Sequence, residues 1–369
     1  MKIGIIVEPY EEKNASGIAH CILAQTEELS RHLTSEDELI VYTSCPIQKD
    51  RLHARMRNVV VPSSALGKNI WFLAHWMMRS PDVPEILSFN MPLLPMVLPK
   101  SIKTVPTFYE LIFETPGRKT FLSTLIGVMN RLLVRWATGR AALVVTPSMA
   151  SFHDIKRAYN VADTRIQNIY IGFQDLSLYQ SEALPIDDAM KPYFFFVGKV
   201  KHKKNVHGMI EGFIAFKKQH HTNHKFIVAG DYGGAYFQDI QKRLREEGFE
   251  KDLIMLGYRY DRELYGFYKN ATALVFCTFQ EGFGMPVVEA MHLGVPVITS
   301  NCSSMKELAD GVGELADPHN APSIARAMER VALDDAYRAQ MIDRGFLRAK
   351  DFSWARHGDE LYKVMRRAL

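Results

Sequence analysis

Two stretches hold residues whose types and spacing could do chemistry. The first is Glu281-Gly282-Phe283-Gly284-Met285-Pro286-Val287-Val288-Glu289, just after the apolar run Ala273 to Cys277. Gly282 and Gly284 allow a tight turn and close approach of the backbone to a ligand. Pro286 suits the first turn of a following helix. The N–H groups at such a helix start, with the helix dipole, attract an anion such as a phosphate. Glu281 then precedes the turn and Glu289 lies about one turn inside the helix, so the two carboxylates could meet different hydroxyls of one extended ligand. A plainer reading stays open, in which Glu289 complements the helix dipole and Glu281 is a solvated loop residue.

The second stretch is Val197-Gly198-Lys199-Val200-Lys201-His202-Lys203-Lys204-Asn205. Lysines can hold phosphate as point charges beside backbone N–H groups. The order Gly-x-x-x-x-Gly-Lys-Ser/Thr is missing, so this is not a Walker loop. Alone, the run reads equally as a solvated basic loop. The joint placement of both stretches after parallel strands, where doubly wound folds bind ligands, favours function.

The elements that must position these residues are legible. Ile3 to Val7 reads as a buried strand, and Ser16-Gly17-Ile18-Ala19 opens a helical pattern after a polar loop. Strand-like runs return at Leu39 to Tyr42, Val59 to Val61, Ile86 to Ser88, Thr104 to Thr107 and Leu143 to Thr146. That half ends near Ile169-Tyr170-Ile171-Gly172, and Phe173 to Pro192 reads as an aperiodic linker. The alternation then restarts with Tyr193 to Val197, Lys225 to Ala229, Ile254 to Leu256, Ala273 to Cys277 and Val295 to Thr299. Two α/β domains across a cleft are predicted, and the length of 369 residues agrees at roughly 150 residues per domain.

Between Phe121 and Trp136 the residues Leu122, Leu125, Ile126, Met129, Leu132, Leu133 and Trp136 repeat at helical spacing. Arg131 and Arg135 lie off that stripe, and Arg118, Lys119 and Arg140 flank it. The expectation is a helix packed on the first sheet with its basic side solvated. The alternative is contact with anionic lipid, each basic residue adding about 1 kcal/mol.

Composition narrows the class. Apolar residues at 47% and charged residues at 23% exclude a disordered chain. A formal net charge of +4 is too mild to point to nucleic acid. Its distribution says more: no acid stands between Glu114 and Asp154, or between Asp188 and Glu211, where Lys191, Lys199, Lys201, Lys203 and Lys204 fall. Two basic zones predict two anionic partners, or one partner and one anionic surface. Cys21, Cys45, Cys277 and Cys302 form no Cys-x-x-Cys, which argues against a disulfide scaffold or structural zinc. The N-terminus shows no signal peptide and no apolar run reaches the roughly 18 residues of a membrane span, so a cytoplasmic location is expected. The histidines show no ligand set, and His220 to His224 reads as helix C-terminal capping beside Lys217 and Lys218.

In this order and spacing the two motifs resemble the retaining GT-B glycosyltransferases of group 1 type, which include bacterial mannosyl- and other hexosyltransferases. The Glu-x7-Glu block continues in that style through Ala290-Met291, Gly294-Val295-Pro296-Val297-Ile298 and Asp317-Pro318. Thr146-Pro147-Ser148, Gly257-Tyr258 and Phe352-Ser353-Trp354 also match. The resemblance is dense over 193–320 and looser over the N-terminal half. It implies an α/β, GT-B architecture with two doubly wound Rossmann-like domains. These would be an acceptor-side domain over 1–175, a hinge over 176–192 and a nucleotide-sugar domain over 193–355, with the last helix, 356–369, packing back on the first domain.

The same resemblance implies roles. Lys199 and Lys204 hold the donor diphosphate, although many members carry Arg at the first position. Glu281 contacts hydroxyls of the transferred sugar, with Gly282 and the backbone amides of Phe283, Gly284 and Met285 near the sugar and phosphate. Glu289 binds the ribose, Gly257 and Tyr258 lie near the nucleobase, and Gly17 opens a helix facing the diphosphate. One departure stands out: Tyr109, in Thr107-Phe108-Tyr109-Glu110, replaces a common histidine. A phenol can still donate a hydrogen bond to the sugar but offers no imidazole.

The implied activity is retaining transfer of a hexose from a nucleotide diphosphate sugar to a glycan or lipid-linked acceptor in polysaccharide or envelope glycan synthesis. Mannose from GDP-mannose is the leading choice. No cofactor and no metal are expected, since no Asp-x-Asp motif is present. Peripheral contact with an anionic membrane at its inner face would run through Arg118 to Arg140. The rival is a non-catalytic sugar-nucleotide-binding or scaffold protein of the same fold, with Tyr109 as the sign of lost chemistry. A nicotinamide oxidoreductase is disfavoured, because no Gly-x-Gly-x-x-Gly follows the first strand.

Overall fold

The computed structural model describes residues 1–7, 17–47, 55–77, 83–90, 98–109, 121–183 and 185–369. Ser16, Glu110, Glu114, Arg118 and Lys119, used in the sequence reading, lie outside the described residues. The chain divides into two compact units, one holding the described residues of 1–172 with Ser353–Leu369, the other Phe173–Phe352. Each is a Rossmann-like domain.

The first unit runs β1 (Lys2–Ile6), α1 (Gly17–His32), β2 (Glu38–Thr43), β3 (Met56–Val60), α2 (Ala65–Met77), β4 (Ile86–Ser88) and β5 (Lys103–Thr104). It continues through α3 (Phe121–Arg140), β6 (Val144–Thr146), α4 (Met149–Tyr159) and β7 (Ile166–Asn168). A parallel five-stranded sheet forms in the order β3-β2-β1-β4-β5, with Ile3 opposite both Leu39 and Ile86. β1, β2 and β4 are apolar on both faces because helices cover both. Tyr42, Phe72 and Trp76 build one core, Tyr42 meeting Phe72 edge-on at 5.3 Å and Phe72 stacking on Trp76 at 4.3 Å. The expected strand Thr104 to Thr107 is realised as β5 plus a separate bridge from Thr107 to Val145.

The second unit carries β8 (Tyr193–Val197), α5 (Val206–His220), β9 (Lys225–Ala229), α6 (Gly234–Glu246), β10 (Leu253–Gly257), α7 (Asp261–Lys269) and β11 (Ala273–Phe276). α8 (Met285–His292), β12 (Val297–Ser300), α9 (Ser303–Ala309), β13 (Glu314–Ala316), α10 (Ala321–Leu333) and α11 (Asp335–Ala349) complete it. Six parallel strands run β10-β9-β8-β11-β12-β13. The order reverses direction between β8 and β11, which makes their C-terminal ends the topological switch point.

Residues 173–192, read as a linker, are held to the second unit. Two 3-10 turns, Leu176–Glu182 and Asp188–Met190, are capped by Asp175 and Asp187. The Phe173 ring lies 4.9 Å from His292 of α8, and Asp175 Oδ1 lies 3.0 Å from His292 Nε2.

The last helix, α12 (Trp354–Ala368), belongs to the first unit and packs on α1. Ser353 caps it, accepting from the Arg356 N–H. Gly358 makes the close approach possible, since a Cβ there would lie 2.8 Å from Glu28 Cγ. Leu361, Val364 and Met365 are fully buried, each contributing about 1.5–3 kcal/mol.

Candidate functional site

The lysine-rich loop leaves β8 and the glutamate-rich loop leaves β11, adjacent strands at the switch point. Three contacts stitch the loops together. Asn205 is buried, and its Nδ2 donates to Cys277 O (2.9 Å) and Pro318 O (2.8 Å). The Phe279 N–H donates to Lys203 O at 3.2 Å. Lys204 Nζ then lies 2.7 Å from Glu281 Oε1, with both side chains mostly withdrawn from water. Asn205 adopts φ 55 at the N-cap of α5, a left-handed conformation that Asn tolerates better than most residues.

The peptide of Glu281 is clamped. Its N–H donates to Ser303 Oγ (3.3 Å), and its carbonyl accepts from Ser303 Oγ (2.9 Å) and Ser304 Oγ (2.8 Å). Gly284 follows at φ 116, where a Cβ would collide with Met305 Cε at 2.1 Å. α8 therefore starts without a side-chain cap and with Pro286 in its first turn. The positive end of its dipole follows Glu281 in the same loop.

Glu289, one turn into α8, is in contact with more than the dipole. The Tyr268 hydroxyl donates to Glu289 Oε2 at 2.9 Å, and the backbone N–H of Gln174 also reaches the carboxylate. Burial pushes the Glu289 pKa up to about 7, and the Asp261 charge adds to the rise against those two hydrogen bonds. Tyr268, fully buried beside this carboxylate, is held well above the usual phenol range.

Lys199 stands on the other side of β8. Its Nζ lies 3.3 Å from Asp231 Oδ2, at a cavity of about 420 Å³ that Gly257 also lines. Gly257 has φ 72, and the Tyr258 after it is exposed and meets Tyr260 edge-on at 5.4 Å. Lys199, Gly257, Tyr258, Lys204, Glu281 and Glu289 thus all belong to the second unit, on its C-terminal strand edge or the helix that leaves it. Phe283 is buried with its ring 5.5 Å from Phe352, so of this residue only the backbone is left for a ligand. Gly282 is buried and Met285 partly so.

Gly17 and Tyr109 belong to the first unit, Gly17 as the first residue of α1. Tyr109 departs from the expectation of a hydroxyl offered to a sugar. It is 9% exposed, and its hydroxyl donates to Gln25 Oε1 (3.2 Å), which also lies 3.1 Å from His357 Nε2. The phenol thus bonds to α1, since a buried hydroxyl must find a partner, and it is Gln25 that links α1 to α12.

Two other expectations change. The stripe of α3 was expected to pack on the sheet, yet Leu125, Ile126, Met129 and Leu132 are exposed, Leu132 by 62%. Val134 and Ala137 are buried instead. The physical reason is length: twenty residues span about 30 Å, and only the last part of the helix meets the core. After α5, His221 takes the left-handed cap, while His224 is buried and stacks on Phe194 at 5.1 Å. Lys217, not a histidine, donates to the Thr222 and His224 carbonyls.

Asn205, Asp231, Tyr268, Ser303 and Ser304 were missed by the sequence reading. Asp231 had a signal, since it follows β9 in the way Lys199 follows β8. The two serines had none, because their partner is a backbone 22 and 23 residues away.

Residues 183–348 match the family described as glycosyl transferases group 1. The second unit of the chain belongs to that family. This glycosyl transferase unit holds both the lysine and glutamate loops. Over 221 residues the chain is 31% identical to O-antigen chain mannosyltransferase B of Escherichia coli, covering 58% of each chain. It is 23% identical over 224 residues to the serotype-specific mannosyltransferase WbdA of Escherichia coli, covering 58% of this chain and 28% of that one. The matches thus span only part of either relative.

Among solved structures, sucrose-phosphate synthase from Thermosynechococcus elongatus superimposes with a TM-score of 0.77 at 17% identity, over 99% of this chain and 98% of that one. Anabaena HepE, in complex with UDP and glucose, gives 0.74 at 17% identity, over 99% of each. These similarities show the GT-B fold. Among the described residues, no helix is long and apolar enough to cross a membrane, and no group of three or more His, Cys, Asp or Glu could hold a metal ion.

Proposed function

We propose that this chain is a retaining glycosyltransferase that moves a hexose from a nucleotide diphosphate sugar to a glycan or lipid-linked acceptor. The Lys204–Glu281 pair at the switch point is the observation that carries the reading. It holds a cation for a diphosphate and a carboxylate for sugar hydroxyls within one hydrogen bond of each other. Donor binding exchanges partners: Lys204 turns to phosphate, and Glu281 is released to the sugar.

As the glycosidic bond of the donor breaks, positive charge grows on the sugar and negative charge on the leaving phosphate oxygen. Lys204, Lys199 and the start of α8 oppose that negative charge from fixed positions. Glu289 accepts from the ribose hydroxyls, and Gly257 and Tyr258 border the nucleobase. Retention follows the family resemblance, with same-face attack by the acceptor. Lysines and helix dipole supply the counter-charge in this reading, so transfer is expected to persist in EDTA.

Mannose from GDP-mannose is the proposed donor, supported by the names of the two mannosyltransferase relatives. The exposed apolar residues of α3, with exposed Arg131 and Arg135, are proposed to rest on an anionic membrane at its cytoplasmic face, where a lipid-linked acceptor would lie.

Thermal melting with GDP, UDP, ADP and NAD tests the reading. At 100 times its dissociation constant a ligand adds about 2.7 kcal/mol. GDP is expected to stabilise the wild type and barely affect Lys204→Ala; stabilisation by NAD alone would sink the reading. The inward Tyr109 hydroxyl favours a second reading, a sugar-nucleotide binder without catalysis. Slow GDP-mannose hydrolysis that disappears in Glu281→Gln rules that reading out.

A further inference from the structure

The cavity beside Lys199 has one anionic lining residue, Asp231, and one cation, Lys199 itself; Val200, Tyr232, Gly233 and Gly257 complete it. The two charges face each other at 3.3 Å, with both side chains more than half exposed. An exposed pair of this kind adds little to stability, so the fold does not require it. The backbones that carry the two side chains are nevertheless held together. The Asp231 carbonyl accepts the Val200 N–H at 2.8 Å, which ties its backbone to the lysine loop. Just before it, a Cβ on Gly230 would stand 2.2 Å from Gly198 O, so the ends of β8 and β9 are in direct contact. A carboxylate is therefore kept within reach of a lysine proposed to hold a diphosphate.

We propose that Asp231 competes with the diphosphate for Lys199 and so speeds departure of the nucleoside diphosphate product. The inference rests on the reading of this edge as the donor site. In the donor sugar nucleotide each phosphate carries one negative charge. When the bond from the anomeric carbon to the phosphate oxygen breaks, its electron pair stays on that oxygen and the product gains a further negative charge. Asp231 repels the product more than the donor, and it offers Lys199 a partner as the product leaves. The Lys204–Glu281 pair is shorter and more buried, and its carboxylate faces the sugar in the proposed donor complex, so it does not serve this purpose.

Calorimetric titration of GDP and UDP onto the full chain tests the proposal, with wild type, Asp231→Asn, Lys199→Met and the double variant. Asn keeps the shape and the backbone contact, and an unchanged melting temperature checks that it folds. Asp231→Asn is expected to bind the diphosphate about three- to tenfold tighter, the effect of removing one nearby charge in a wet site. The gain should shrink clearly in the Lys199→Met background, where only the direct repulsion is left, and inhibition by the same diphosphate should tighten by the same factor in the single Asp231→Asn variant. Unchanged or weaker binding by Asp231→Asn overturns the proposal, as does an equal gain without Lys199. If neither diphosphate binds the wild type or any variant, the donor-site reading falls with it; binding to wild type without the Asp231 effect removes the inference alone.

Discussion

The Glu289 carboxylate illustrates how one residue acquires a pH dependence from its surroundings. Its pKa is pushed up to about 7 by burial, with the Asp261 charge adding to the rise. A folded pKa above the ordinary glutamate value means that folding takes up a proton between about pH 4.5 and 7. This stabilises the fold below the unfolded pKa and is lost as pH rises through 7. Glu289→Gln should therefore gain stability on the wild type as pH goes from 5 to 8, by up to about 3 kcal/mol in urea unfolding. Ligand binding has the opposite sign. In the proposed ribose site the ionised carboxylate is the form that would accept from both hydroxyls, so diphosphate affinity should rise up to about tenfold from pH 6 to 8. The rise should be absent in Glu289→Gln, which subtracts titration of the ligand itself; an equal rise in the variant would remove Glu289 from the ribose site.

At the scale of elements, Asn205 decides whether two loops form one site. It starts α5 in a left-handed conformation and bonds carbonyls at the end of β11 and before α10. Asn205→Ala should cost about 2–4 kcal/mol, from two orphaned carbonyls and a φ that alanine resists. Asn205→Gly keeps the backbone and should cost about 1 kcal/mol less. Both should lose diphosphate-induced stabilisation, because Lys204 is the last residue of the turn that Asn205 caps. Equal costs for the two variants would show that the left-handed backbone is not what asparagine provides.

For the whole molecule, the exposed surface of α3 is where the proposed membrane contact can be tested. Replacing Leu125, Met129 and Leu132 by serine should leave stability nearly unchanged, since exposed substitutions stay within about 0.5 kcal/mol each. Flotation with anionic vesicles should lose the triple variant and retain the wild type, with binding weakened in high salt. Equal flotation of both proteins, or a wild-type dimer that the variant abolishes, would make this face something other than a lipid contact. Acid stability is also global: burial alone would raise Asp37, but bonds from Thr34 and Tyr362 hold its pKa well below the usual range. That contribution is present at neutral pH and lost as pH falls through the depressed value.

The local signals were strong where chemistry and backbone coincide. Strands β8 and β9 were bounded in the sequence because aromatic and β-branched runs end at glycines, and Gly284-Met285-Pro286 marked the start of α8 because few residues tolerate that turn. β7 and β13 escaped because Ile166-Gln167-Asn168 and Glu314-Leu315-Ala316 offer no apolar or β-branched run, unlike the equally short β4 and β6. The stripe of α3 was correct as a helix and misleading as a core, since periodicity tells that one face is apolar and not what covers it. Lys204, Glu281 and Lys199 were legible as types. That Lys204 already holds Glu281, that Asp231 already holds Lys199, and that Tyr109 turns inward to Gln25 were decided by tertiary structure alone. These partners lie 32 to 84 positions apart, and only the fold brings them within a hydrogen bond.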